Sequence, residues 1–178
     1  MTFLILITLL AVQRLSELVL ARYNEDRLKA KGGLEFGSSH YPWIVLMHLG
    51  FFSSFIAEVN LFDKDVSVLW PFWLSIFLLV QIGRVWVITS LGPYWNTKII
   101  VLPDAEVIVK GPYKYVKHPN YIIVATEILV ISLLYNAYFT AALFTCLNAW
   151  AMSVRIPIEE RALKNLTSYS AVFLKDKK

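Results

Sequence analysis

Two short stretches hold a large share of the side chains in this sequence that could do chemistry. The first is Gly111–Tyr121, GPYKYVKHPNY, and the second is Arg155–Glu160, RIPIEE. In the first, Gly111-Pro112 signals a turn. Tyr113 and Tyr115 alternate with Lys114 and Lys117, a mix of rings and cationic stems that suits a membrane interface. His118-Pro119 then opens a helix, because the residue before proline avoids the helical region while proline fits the first helical position. Asn120 and Tyr121 therefore fall in the first helical turn, where free backbone N–H groups favour an anionic ligand group. A basic, aromatic interfacial loop would have the same composition, so the first stretch needs the second to mean more.

The remainder is apolar enough to position both stretches at a membrane. Of 178 residues, 57% are hydrophobic, more than a soluble domain of this length requires. Six Trp, nine Tyr and eleven Phe fit interfacial belts. The net charge of +4 reads as membrane orientation and anionic headgroups, not nucleic acid. The single Cys146 allows no intrachain disulfide, and His40, His48 and His118 show no metal-ligand spacing. The reading is an all-α membrane protein in one domain, residues 1–178, with about five spans, a C-terminal helical hairpin and a cytoplasmic cofactor-binding loop.

The spans are expected at 2–20, 41–61, 68–91, 119–135 and 138–155. The first lacks a basic n-region and a cleavage site, so it is not read as a signal peptide. Within it Gln13, Arg14 and Glu17 share a face, with Arg14 and Glu17 spaced to pair. Residues 21–40 read as a polar loop broken by Gly32, Gly33 and Gly37. His48 reads as a hydrogen-bonded structural histidine, and Gln81 and Arg84 share one face of the third span. Residues 92–118 contain β-branched runs around Pro103-Asp104 that suggest a small extended flap. Pro157 is expected to kink or end the fifth helix. The tail, 158–178, reads as an amphipathic interfacial helix ending in the basic LKDKK.

Basic residues alternate by side. Arg22, Arg27, Lys29 and Lys31 lie in the first loop, Lys64 alone in the second, and Lys98, Lys110, Lys114 and Lys117 in the third. The turn at Asn136 has none, and Arg155, Arg161, Lys164, Lys175, Lys177 and Lys178 follow it. The first loop, third loop and tail are therefore expected in the cytoplasm.

A tight turn at Asn136-Ala137 pairs residues at equal distance from it. His118 precedes Asn136 by eighteen residues and Arg155 follows Ala137 by eighteen, which sets them level. Glu127 similarly comes within about a turn of Asn148. Asn148, Arg155 and Glu159 fall on one helical stripe. An imidazole, an arginine, tyrosines and the paired acids Glu159 and Glu160 are thus expected at the mouth of one hairpin.

At this point the sequence resembles the isoprenylcysteine carboxyl methyltransferase family, whose pattern is a GPY element running into RHP-x-Y, then an arginine and paired acids after the next helix. GPYKYVKHPNY followed by RIPIEERAL carries the likeness over roughly 92–165. QRLSELVLARYN and GGLEFGSSHYPW resemble the small bacterial members. Lys117 stands where the family usually has arginine, keeping the charge but not the planar fork. The resemblance implies S-adenosylmethionine as methyl donor and its demethylated counterpart, S-adenosylhomocysteine, as product. Family cofactor contacts fall on Glu106, Val107 and Ile108, within the segment starting at Ala105, and on Tyr113, His118, Pro119, Asn120 and Tyr121. Glu159, with Glu160 beside it, would complete that site. Arg155 matches the substrate-contacting arginine, and Arg155 and Glu159 are the expected catalytic pair.

The chemistry suits these groups. Tyrosine faces suit a sulfonium, a glutamate an ammonium, and a helix start a carboxylate. An ionised carboxylate acceptor needs only alignment, which Arg155 can supply through two N–H groups. A hydroxyl acceptor also needs a base, for which His118, Glu159 and Glu160 are candidates. The substrate is expected to be lipophilic: an isoprenylcysteine-type lipidated molecule or a lipid- or polyketide-like small molecule. Two other readings compete. A sterol-type reductase using NADPH carries a similar His-Pro element but is usually longer. A small transporter would show charges near the midplane, such as Arg14, Glu17 and Arg84, together with an inverted repeat, and no repeat is visible.

Overall fold

In lipid, a backbone must satisfy its own hydrogen bonds, so apolar runs of this length fold as helices. The computed structural model describes residues 2–173. Its helices are α1 (Thr2–Ala30), α2 (Tyr41–Leu61), α3 (Trp70–Leu91), α4 (Pro119–Leu134), α5 (Tyr138–Leu166) and α6 (Tyr169–Phe173). Two short strands, β1 (Leu34–Phe36) and β2 (Ile99–Val101), complete the set. Among the described residues, α1, α2, α3 and α5 are long and apolar enough to cross a membrane, and α4 is a shorter apolar helix. The protein is an all-α membrane protein. The LKDKK end lies outside the described residues.

The chain forms two compact units. One holds the chain up to Ser38, Leu91–Val107 and the chain from Glu159; the other holds Ser39–Ser90 and Ile108–Ile158.

In the first unit, α1 corrects the expected boundary at residue 20: it is helical to Ala30. Residues 21–30, ARYNEDRLKA, are mostly good helix formers despite their charge. The helix stops where Gly32 adopts φ +89, with Gly32 N–H bonded to Lys29 O and Gly33 N–H to Leu28 O, the paired bonds of a Schellman ending. Arg14 pairs with Glu17 at 2.9 Å, as its spacing suggested. The extended flap exists as β2, which pairs antiparallel with β1, Glu35 opposite Ile100. Segment 92–101 is fastened to α1 from both sides. Buried Asn24 donates to the carbonyls of Gly92 and Trp95, and Asn96 donates to Ala21 O. Lys29 bridges Glu25 and Glu35, and Lys98 also reaches Glu25.

In the second unit, α2 and α5 run antiparallel. Phe51 meets Phe144 edge-on, and Ser54 and Thr140 share a 2.8 Å hydrogen bond. Glu58 reaches from α2 to accept the backbone N–H groups of Phe139 and Thr140, at 3.1 and 2.7 Å. These N–H groups have no partner inside α5, and a carboxylate there also suits the positive end of the helix. His48 bonds to Ile44 O through Nδ1, the structural role expected of it. The α4–α5 turn is made by Asn136 at φ +54, with Ala137 N–H returning to Ser132 O. Helix α5 continues through Pro157 to Leu166, so that proline does not end the helix, one of the two outcomes expected of it. Proline removes one hydrogen bond, but the helix formers of RALKNL carry the next turns onward.

Candidate active site

The GPY turn begins with a steric requirement. Gly111 has φ +57, and a Cβ placed on it would lie 2.1 Å from Ser90 Oγ and 2.9 Å from Trp86 Nε1 on α3. The turn is thereby pressed against α3 in a way only glycine permits. It continues as a short 3₁₀ segment, Gly111–Lys114, in which Tyr113 N–H bonds to Lys110 O. His118 caps α4 from a non-helical conformation, φ −127, with Pro119 as the first helical residue. Tyr121 N–H bonds back to His118 O, and the two rings stack with centroids 5.4 Å apart.

Arg155 meets this pair from α5. Its Nε donates to Tyr121 Oη at 2.9 Å, and its guanidinium carbon lies 5.8 Å from the centre of the Tyr121 ring. Arg155 is only 6% exposed, so its charge is directed into the protein. The hairpin arithmetic that set His118 level with Arg155 thus corresponds to a real linkage, His118 to Tyr121 to Arg155. Asn148, one step along the same stripe, is buried too. Asn120 Oδ1, in the first turn of α4, is buried with no hydrogen-bond partner among the described residues. Val107 and Ile108 are half-buried in the extended segment before the turn, while Glu106 is exposed.

Glu159 and Glu160 belong to the first unit. Glu160 pairs with Lys164 at 3.2 Å, and Asp104 N–H bonds to Leu166 O, fastening the 102–107 segment to the end of α5. Burial, then Glu160 and Glu159, push the Tyr169 hydroxyl up to about 12, so it stays protonated throughout the physiological range. The sequence reading passed over Tyr169, which has no motif of its own.

Of His40 the sequence reading said only that it shows no metal-ligand spacing with the other histidines. This residue precedes α2 in the second unit, and burial together with the nearby Arg155 charge lowers its pKa below the ordinary histidine value. A third group was seen only in part. Gln81 and Arg84 do share a face of α3, and both reach Glu127: Gln81 Nε2 donates to its Oε1 at 2.8 Å, and Arg84 Nη2 pairs with its Oε2. Arg84 and Glu127 are 3% and 1% exposed, so they compensate one another's burial.

The elements define a helical membrane protein in which a His-Pro helix start and an arginine from the next helix form one polar cluster. The chain belongs to the isoprenylcysteine carboxyl methyltransferase family: that family's sequence model matches residues 73–165. It is therefore a member of a family of membrane methyltransferases. Over 162 residues it is 52% identical to "Uncharacterized protein YpbQ" of Bacillus subtilis, covering 91% of this chain and 96% of the relative. An "Uncharacterized protein" of Haemophilus influenzae is 28% identical over 144 residues, covering 80% and 84%. No solved structure matches the chain.

Proposed function

We propose that the protein, acting as one integral membrane domain, transfers a methyl group from S-adenosylmethionine to a carboxyl or hydroxyl oxygen of a lipophilic substrate held in the membrane. The observation that carries this reading is the His118–Tyr121–Arg155 linkage across the α4–α5 hairpin. It joins residues that the family pattern assigns to the cofactor and to the acceptor.

The residues present fit the donor. Asn120 Oδ1 is an acceptor in search of a donor group, and it sits in a first helical turn where N–H groups favour a carboxylate. Bound there, S-adenosylmethionine would supply an electrophilic methyl on a sulfonium. Tyr113, His118, Pro119, Asn120 and Tyr121 would hold it, with Glu106, Val107 and Ile108 from the preceding segment. Glu159 and Glu160 would take its ammonium. Arg155 would hold the acceptor oxygen, its Nε fixed by Tyr121, so that the fork cannot rotate away. Glu159 is its catalytic companion. For a hydroxyl acceptor, His118, Glu159 or Glu160 would remove the proton.

The distribution of basic residues supports a cytoplasmic first loop, third loop and C-terminus. Cysteines placed at Asp65 and Lys114, after Cys146 is replaced, should label from opposite sides of the membrane. Labelling from the same side would overturn that orientation. The chemistry is tested by mass spectrometry of membrane lipids from cells carrying the protein or its His118→Ala variant. A species heavier by one methyl should occur only with the unaltered protein; identical lipid profiles would count against the reading.

A further inference from the structure

A hydroxyl on a membrane helix commonly returns to its own backbone. In the second unit Ser53, Ser75, Thr89, Thr126 and Ser132 each bond the carbonyl four residues earlier. Thr145 on α5 departs from this: its Oγ1 is buried with no hydrogen-bond partner among the described residues. Asn148 lies three residues on and is 2% exposed, and its Oδ1 has no such partner either. Residues three apart on a helix are neighbours, so two unsatisfied polar groups sit side by side without satisfying each other. Away from water each is costly until something bonds it.

Their place in the hairpin follows from its register. Tyr121, Ala125 and Ile128 form one stripe of α4, and Tyr121 turns that stripe toward Arg155 of α5. Asn148 shares the Arg155 stripe. Ala125 precedes Asn136 by eleven residues and Asn148 follows Ala137 by eleven, so they are level. A single methyl group therefore stands across from the Asn148 amide. Tyr121, fifteen residues before Asn136, is level with Met152. Helical side chains lean toward the helix N-terminus, which carries the Arg155 guanidinium back to that level and toward Asn148. From there Asn148 is about 6 Å farther into the hairpin and Thr145 about 10 Å.

We propose that Asn148 and Thr145 form a hydrogen-bonding subsite for the methyl acceptor, deeper in the α4–α5 seam than its reacting oxygen. Asn148 Oδ1 accepts, so the ligand group must donate, and the Thr145 hydroxyl can donate in return. A hydroxyl satisfies both. The acceptor is thus a lipophilic molecule with a hydroxyl roughly 6–10 Å from the oxygen that Arg155 holds. The proposal rests on the methyl-transfer reading and gives its acceptor a second polar group. It also makes Asn148 and Thr145 specificity-determining residues outside the motif. A buried water offers the same O–H chemistry, and the experiment separates the two sources.

The test is binding of four fatty acids of equal chain length to the full chain in detergent. One is unsubstituted; the others carry a hydroxyl beside the carboxylate, about seven carbons along, or at the far end of the chain. The hydroxyl about seven carbons along should tighten binding roughly fivefold or more over the unsubstituted acid. The other two positions should not. Thr145→Val and Asn148→Leu are close in volume to the residues replaced, and each should bring that ratio toward one, so a folding failure in either leaves the other to decide. Without ligand, both variants should keep or raise the thermal midpoint, because an unsatisfied group is removed. Equal affinities for all four acids would overturn the subsite, and a midpoint that falls in both variants would then identify water as the occupant. A preference that survives in both variants would also overturn it. S-adenosylhomocysteine affinity, measured on the same samples, separates the two claims. If it is intact and the preference is missing, the subsite fails alone. If it is absent and the preference remains, the subsite stands as a lipid site and the methyl-transfer reading fails.

Discussion

Arg155 Nε and Tyr121 Oη are joined by a 2.9 Å hydrogen bond across thirty-four residues of sequence. One residue lies in the first turn of α4 and the other near the end of the apolar part of α5, so this bond fixes the cationic fork relative to the His-Pro helix start. If Arg155 aligns the acceptor, Arg155→Lys should preserve the fold and cofactor affinity. It should lower methyl transfer roughly tenfold or more, because a point charge replaces a two-pronged donor. Tyr121→Phe keeps the ring beside His118 but removes the acceptor of the Nε bond, and should lower turnover in the same direction by less. Full turnover in Arg155→Lys would show that this residue does not position the acceptor.

Gly111 is sensitive for a steric reason. Gly111→Ala places a methyl group into Ser90 Oγ and forces a positive φ on a residue with a Cβ. The strained backbone alone costs about 1–3 kcal/mol. The variant should lower the thermal midpoint in detergent and weaken cofactor binding together. Ser90→Ala in the same chain should restore part of the midpoint by removing the nearest clash. A Gly111→Ala protein with an unchanged midpoint would contradict the geometry of the turn.

The Arg84–Glu127 pair gives a separable stability prediction. Removing one partner of a buried pair typically costs about 3–5 kcal/mol because the other charge stays buried. Glu127→Ala and Arg84→Ala should each destabilise strongly. Exchanging both for apolar residues of similar volume, Arg84→Met with Glu127→Leu, should recover most of the loss. Three equally destabilised proteins would argue that the pair does more than hold α3 against α4.

His40 introduces a pH dependence. Its folded pKa is depressed, so the unfolded chain binds the proton more readily than the folded one. Stability is therefore fullest above the unfolded value, about 6.5, and is lost as pH falls through the folded pKa. His40→Gln removes that titration, so the difference in midpoint between variant and parent should narrow or reverse as pH drops below that value. A constant difference across the range would show that His40 is not depressed by its surroundings.

The sequence disclosed the apolar spans and the hairpin because both depend on local signals: long hydrophobic runs, a proline at a helix start and a short turn. The level pairing of His118 with Arg155 followed from counting along two helices. Other features depended on contacts that counting does not reach. Charged residues 21–30 looked like a loop because polarity was weighed above helix propensity, and the glycines that end α1 come later, at 32 and 33. Pro157 left a kink or an end open, and the strong formers that follow it decide against an end. Glu127 was set against Asn148 on its hairpin partner, yet Arg84 on α3 holds it, since a buried carboxylate takes the nearest cation. Arg84 was visible, but its register against α4 was not. Tyr169 and His40 carry no motif and are meaningful only beside the acids and the arginine they face.

The central claim is that the His118–Tyr121 helix start, with Glu159, binds S-adenosylmethionine. Calorimetric titration of S-adenosylhomocysteine into the full chain in detergent tests it most directly, with the His118→Ala, Glu159→Ala double variant alongside. The account predicts binding by the unaltered protein and at least a tenfold loss in the double variant, with the thermal midpoint retained. No binding to the folded unaltered protein, or the same affinity in the double variant, would contradict it.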